Sequence, residues 1–345
     1  MAVQEAMVRG STPSGDGREP PAIEVHELSK RYGELDAVRQ VTFEVARGET
    51  FGFLGPNGAG KSTTISMLCT LVQPTGGWAR VAGSDVVREQ ARVRRRIGLV
   101  FQDSTLDEYL TAAENLRFHA ELYGVPRHSV ESRMAQVLEM VGLADRRDSV
   151  VRTFSGGMQR RLEIARGLLH SPAVLFLDEP TVGLDPQTRT HIWRYINELK
   201  EREHTTMFLT THYMDEAEYC DRIAIMDGGR LVAEGTPEAL KASVGQDRVE
   251  LRTADDQRTI ASLRSRFEIE ATISEEAVTF HVGGGEEFLP RLFAELDVPI
   301  NSVRVSRPTL DDVFMAYTGR TIRDAEATAG DRMRANPWMR ARRRR

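Results

Sequence analysis

The sequence predicts an α/β fold with a helical block inserted into it, followed by a small α+β domain. Three observations carry this expectation. Residues 51–54 read as a short buried strand that feeds a glycine-rich turn and then a helical pattern. Residues 174–177 are fully apolar, as expected of a central parallel strand, and lead into Asp178 and Glu179. After Gly245 the texture changes to short strands and helices in the order β-α-β-β-α-β, the pattern of a ferredoxin-like domain.

Ordered pattern begins near Ile23. Residues 23–28 and 41–45 alternate apolar and polar side chains, as half-buried strands do. The apolar spacing of 62–71 is helical. Residues 105–170 read as helices: Thr111 and Glu114 form a capping-box pattern, and Gly124 with Pro126 signals a stop. A second helix fits 130–141 and stops at Gly142, and a third runs from Gly156 to about Leu169. Residues 207–210 and 223–226 are further strands, and Thr236-Pro237 starts a short helix with proline at its first position. In the C-terminal part, 249–251, 269–273, 278–282 and 303–305 are candidate strands, with helices at 260–267 and 288–296. Thr309 and Asp312 cap a last helix that ends at Gly319. No repeat of solenoid length is present.

The 345 residues correspond to about two domains. Residues 1–22 read as a disordered leader, 23–245 as the first domain with its helical subdomain at about 103–170, 246–320 as an accessory domain, and 321–345 as a flexible Arg-rich tail. Forty-six basic against fifty-one acidic side chains leave a net charge of -5, which argues against a bulk nucleic-acid binder. Two cysteines, Cys69 and Cys220, cannot make a disulfide framework, so a reducing compartment is expected. The longest apolar run, 173–177, is far short of the roughly 20 residues needed to span a bilayer. The N-terminus lacks the apolar core of a secretory signal. Composition alone therefore points to a soluble, cytoplasmic protein.

Gly55, Pro56, Asn57, Gly58, Ala59, Gly60, Lys61 and Ser62 fit the pattern G-x-x-x-x-G-K-[ST], followed by Thr63. The glycines let backbone N–H groups turn around a β-phosphate, and the helix start adds partial positive charge. Lys61 can reach the β- and γ-phosphate oxygens, and the Ser62 hydroxyl can ligate Mg²⁺. Because ligands of an open parallel sheet sit at the strands' carboxyl ends, Asp178 should project beside this loop and help to hold the metal. Glu179, one residue on, is placed to orient or deprotonate an attacking water.

At this point the chain resembles the ATP-binding-cassette ATPases. Thr153-Phe-Ser-Gly-Gly-Met-Gln159 resembles their signature motif, Gln102 their glutamine loop, Gly183-Leu-Asp185 their D-loop, His212 their switch histidine and Tyr32 the aromatic that stacks on adenine. The motifs follow the family's order over residues 23–243. The resemblance implies a P-loop NTPase cassette with an inserted helical subdomain and an antiparallel β subdomain. It also implies ATP and Mg²⁺ as ligands, with Gln102 on the metal and His212 at the γ-phosphate. A second, facing protomer would present Ser155, Gly156 and Gly157 to the nucleotide held by Lys61, with Asp185 communicating across that interface, in what is expected to be a homodimer.

The commonest form of the signature has leucine and glutamine where this chain has Phe154 and Met158; the serine and both glycines are kept. The Gly-Gly-Met form, and the stretch Arg307-Pro-Thr-Leu-Asp-Asp-Val-Phe-Met-Ala-Tyr-Thr-Gly-Arg320, resemble the daunorubicin-resistance-type exporter ATPases. The resemblance implies a separate integral-membrane permease, docked near Gln102 and residues 101–122, and export of a drug, antibiotic or lipid-like amphiphile. The protein would then sit peripherally on the cytoplasmic face of the membrane. The alternative is a soluble cassette ATPase acting on nucleic acid or ribosomes; a small-molecule kinase ranks below it, and no nucleic-acid partner is expected. His212, Glu216 and Cys220, spaced by four, could mark a zinc site only if one helix carried all three. Arg92, Arg94, Arg95 and Arg96 read as a solvated helix face. The tail, whose last fourteen residues hold seven arginines, is either free in solvent or a contact for anionic lipid.

Overall fold

A computed structural model describes residues 19–203, 205–274 and 277–319. The Arg-rich tail and most of the expected leader lie outside the described residues. Residues 19–22, read as the end of that leader, are ordered: Ala22 is buried, and its N–H extends a strand ladder by bonding to Val45 O at 2.8 Å.

The chain opens with an antiparallel hairpin, β1 (Ile23–Tyr32) and β2 (Leu35–Val45), turned at Gly33. The central strand β3 (Thr50–Leu54) is buried along its whole length and leads through the glycine loop into α1 (Lys61–Leu68). Next come β4 (Gly76–Val81), β5 (Ser84–Asp85), α2 (Gln90–Arg96) and β6 (Ile97–Val100). The helical block is α3 (Ala112–Leu122), α4 (Arg127–Met140) and α5 (Gly156–Leu168). Then follow β7 (Val174–Asp178), α6 (Pro186–Glu203), β8 (Thr206–Thr211), the single turn α7 (Met214–Ala217), β9 (Arg222–Asp227), β10 (Arg230–Gly235) and α8 (Pro237–Val244).

Two sheets come from this part. One is antiparallel, in the order β2-β1-β4-β5. The other runs β10-β9-β3-β8-β7-β6, and all its pairs are parallel except β9 with β10. The parallel strands are largely apolar, and buried over most of their length, because both faces are covered. On one side Phe43 of the antiparallel sheet lies 5.6 Å from Phe51 and 5.0 Å from Phe53, within a cluster that includes Phe176 and Phe208. On the other side the helical block packs Leu116, Val137, Leu162 and Ile164 with Val100, Leu177 and Leu209 of the sheet. The register pairs Leu54 with Thr211, Asp178 with Thr210 and Val100 with Leu177. The glycine loop, both acids, His212 and Gln102 therefore leave the sheet at one edge.

After Gly245 come β11 (Asp247–Thr253), α9 (Asp256–Phe267), β12 (Ala271–Ser274), β13 (Ala277–Val282), α10 (Gly285–Glu295) and β14 (Ile300–Ser306). Their sheet order is β12-β13-β11-β14, all antiparallel, which is the ferredoxin-like arrangement, around Val249, Leu251, Leu263, Val278, Phe280 and Leu292. The last helix, α11 (Leu310–Thr318), starts on a Thr309–Asp312 capping box and ends at Gly319 in the left-handed region. Its buried face, Leu310, Val313 and Phe314, joins the core of the first domain alongside Leu240 of α8.

Several elements depart from the sequence reading. Helix α1 ends at Leu68, because Thr70 adopts a positive φ of 62°. Helix α4 begins three residues early, on a polar first turn of Arg127, His128 and Ser129. Ile269 lies outside β12. The four arginines of α2 are exposed but not all free: Arg94 donates to Thr70 and Arg96 to Ala82 O.

Candidate nucleotide site

The glycines are dictated by close approach. A Cβ on Gly55 would stand 2.2 Å from Met226 O, and one on Gly60, at φ 110°, would stand 2.5 Å from Ala37 O. The loop is closed by Ala59 N on Pro56 O and braced by Gly229 N on Ala59 O. Pro56 is buried, while Asn57 and Gly58 form the exposed tip, Gly58 at φ 82°. Gly60 is the N-cap of α1 and offers no side chain, and the first turn, with Thr63 half-buried, carries no acid. The first N–H groups of a helix have no intrahelical partner, so this end is prepared for an anion.

Lys61 is buried, with Nζ donating to Gly55 O at 2.6 Å and Pro56 O at 3.2 Å and lying 3.4 Å from Glu179 Oε1. His212 Nδ1 is 3.3 Å from the same carboxylate oxygen. Burial alone would raise the Glu179 carboxyl; His212 and Lys61 outweigh it and hold that group below the usual glutamate range. Asp178 differs. Burial pushes its carboxyl above the usual aspartate range, against the lowering effect of bonds donated by Thr210 and Ser62. Those bonds measure 2.5 Å from Thr210 Oγ1 and 3.1 Å from Ser62 Oγ. Ser62 and Asp178 thus converge as hard oxygen ligands, the donor set that suits Mg²⁺. Two adjacent acids are thus driven in opposite directions by their surroundings.

The remaining expected residues fall elsewhere. Gln102 is exposed, two residues past the end of β6 and beside the strand that carries Asp178. Tyr32 is half-exposed at the end of β1, with Lys30 Nζ 4.9 Å from its ring centre. Ser155, Gly156 and Asp185 are exposed. Gly156 approaches Leu184, and Gly157 approaches Thr188 of α6. Ser155 Oγ accepts from Met158 N, and Asp185 accepts from the Thr188 N–H and hydroxyl, so each caps its own helix. Phe154 is buried in the core of the helical block and Met158 packs on it, which answers where the unusual signature residues go. Glu216 turns its carboxylate onto the Thr181 and Thr211 hydroxyls, and His212 precedes that helix, so no single helix carries His212, Glu216 and Cys220. The sequence reading missed Thr210, which clamps both acids, and Arg160, whose guanidinium lies behind them.

Fold and site are those of a P-loop nucleoside triphosphatase. Among solved structures, cbiO1 from Clostridium perfringens, part of the transporter complex cbiONQ, superposes with a TM-score of 0.61 at 27% identity, over 72% of this chain and 97% of that one. An ATP-binding cassette solved as a dimer in a post-hydrolysis state with ADP and Pi matches at 0.56 and 28% identity, over 62% and 98%. Residues 38–182 match the ABC transporter family, and residues 235–318 the C-terminal domain of DrrA1-3-like ATP-binding proteins. The daunorubicin/doxorubicin resistance ATP-binding protein DrrA of Streptomyces peucetius is 42% identical over 318 residues, 88% of this chain and 94% of the relative. The linearmycin resistance ATP-binding protein LnrL of Bacillus subtilis (strain 168) is 39% identical over 311 residues, 88% of this chain and all of the relative. The chain belongs to the ATP-binding proteins of ABC transporters, in the daunorubicin-resistance branch, and is an ATPase. These relatives do not favour the reading as a soluble ATPase of nucleic acid or ribosomes. No helix among the described residues is long and apolar enough to cross a membrane.

Proposed function

We propose that this chain hydrolyses ATP as a homodimer on the cytoplasmic face of a membrane. It would drive a separate permease that exports a drug, antibiotic or lipid-like amphiphile. The observation that supports this best is the trio of buried Lys61 and Glu179 with half-buried His212 at one strand edge, next to a loop shaped for phosphate. Lys61 takes up the charge of the terminal phosphates. Glu179, held ionised, accepts the proton of the attacking water, and His212 fixes that carboxylate and the γ-phosphate side of the site. Mg²⁺, held by Ser62, Asp178 and Gln102, would neutralise charge on the phosphate oxygens. Tyr32 stacks on the base. Ser155 and Gly156, both exposed, and half-buried Gly157 serve the nucleotide of the second protomer together with exposed Asp185.

A groove of about 420 Å³ beside Gln102 supports the permease contact. Leu99, Phe101, Leu110, Phe118 and Leu122 line it, with Phe118 and Leu122 largely exposed. Its His119, pushed down to about 3 by burial and by neighbouring Arg166 and His170, stays neutral and adds no charge to that wall. Such a mainly apolar groove, with Arg94, Asp107 and Arg166 also in its wall, suits an amphipathic helix laid across it.

Lys61→Ala tests the reading. Equilibrium binding of a fluorescent ATP analogue and steady-state phosphate release should both be lost, in a variant whose circular dichroism shows it to be folded. ATP turnover at the wild-type rate by that variant would overturn the assignment of the loop.

A further inference from the structure

Arg160 lies on the second turn of α5, is 6% exposed and points inward. A guanidinium offers five N–H donors in a fixed plane, and here they span three segments. Nε donates to Pro180 O at 2.5 Å, and Nη2 to Asp178 O and Glu179 O, each at 3.2 Å. Nη1 donates to Phe101 O at 2.5 Å and to Glu163 Oε2 at 2.9 Å. The second oxygen of Glu163, itself buried, accepts from Thr105 N at 2.9 Å. Arg166, further along α5, donates to Thr105 O at 2.8 Å. One helix therefore holds both the strand end that carries the acids and the segment 101–105 that lines the groove.

Glu179 sits at φ 48°, in the left-handed region that non-glycine residues rarely occupy. Such a conformation persists only where its surroundings over-determine it. Its N–H is fixed by Thr210 O and Oγ1, and its carbonyl by Arg160. A buried ion pair is retained at a desolvation cost, and every polar atom of this one is engaged, which suits a part that specifies geometry.

We propose that Arg160 is a positioning residue that sets the main chain of Glu179. Glu163 and Phe101 O tie the same guanidinium to segment 101–105, so the clamp on Glu179 is braced from that segment. The inference rests on the reading of Glu179 as the base. It goes beyond that reading by naming the side chains, Arg160 and Glu163, that hold the base in place.

The test uses the full chain. Turnover, ATP-analogue affinity and melting temperature are measured for Arg160→Lys, Glu163→Gln and Glu179→Gln. Lysine keeps the charge but, as a compact donor, cannot span the carbonyls at 101 and 178–180. Glutamine at 163 keeps an acceptor for Thr105 N but loses the charge. Misplacing a reacting group by about 1 Å costs up to about a hundredfold. Arg160→Lys should therefore lower kcat by at least about tenfold and Glu163→Gln by less, with ATP affinity within about twofold of wild type. If Arg160→Lys does not fold, Glu163→Gln must show the same split between kcat and affinity. Wild-type turnover in the variants while Glu179→Gln is inactive overturns the positioning inference alone, as does a parallel loss of kcat and affinity. Wild-type turnover by Glu179→Gln overturns the base reading and this inference together.

Discussion

Phe314→Ala is the sharpest test of how the two parts of the chain depend on each other. Phe314 is fully buried on α11, yet its neighbours belong to the core of the first domain, among them Leu240 of α8. Truncating a fully buried phenylalanine costs about 3–5 kcal/mol, from lost transfer energy plus the cavity left behind. A domain's whole stability is only about 5–15 kcal/mol. The first domain should therefore lose a large share of its stability although the substitution lies 69 positions beyond Gly245 in the sequence. The assay, in a Trp78→Phe, Trp338→Phe background that leaves Trp193 as the sole tryptophan, is urea unfolding followed by far-UV circular dichroism and by the emission of Trp193, which is buried in the first domain with its ring 5.1 Å from Tyr219. Both signals should shift together. Met315→Ala on the exposed side of the same helix should stay within about 0.5 kcal/mol of wild type. A loss below about 1 kcal/mol for Phe314→Ala, or one that leaves the Trp193 transition in place, would refute the argument.

Two further predictions concern the helical block and the site. Thr111→Ala removes the acceptor for Glu114 N from the capping box of α3 and should lower unfolding stability by about 1 kcal/mol, read from the urea midpoint; an unchanged midpoint would mean that the cap contributes nothing there. Glu179→Gln addresses pH. The Glu179 carboxyl is held below its ordinary value, so its ionised form contributes stability above an unfolded value of about 4.3 and loses that contribution as pH falls through the lower folded value. Wild type should therefore lose ground to the variant only as pH falls below about 4.3, and a stability difference independent of pH in that window would contradict the charge arrangement.

Much of the scaffold was legible because it is local. The two capping boxes, Thr111–Glu114 and Thr309–Asp312, are written in residues three apart and are found as hydrogen-bonded pairs. The order β-α-β-β-α-β becomes a single antiparallel sheet. Helix α6 was not anticipated, because it buries only a narrow stripe that includes Ile192, Trp193 and Ile196 and is otherwise polar. The two-residue strand β5 is too short to show any alternation. Within the site, the glycine loop and the two acids stand out by spacing and type. Arg160 does not, because its partners lie 18 to 20 residues ahead in β7 and the turn after it and 59 residues back in the segment after β6. An arginine whose value comes from converging carbonyls carries no signature of its own. Only the fold brings those oxygens together.

At positions 101, 178, 179 and 180 Arg160 bonds only to main-chain oxygens. Every amino acid supplies that oxygen, so the alignment of this strand end is blind to which side chains sit there. Alignment and chemistry are thereby set by different atoms: substitutions at Asp178 or Glu179 change the reacting groups while leaving these carbonyl bonds available, and a change at Arg160 leaves the reacting groups in place but loosens the frame that aims them.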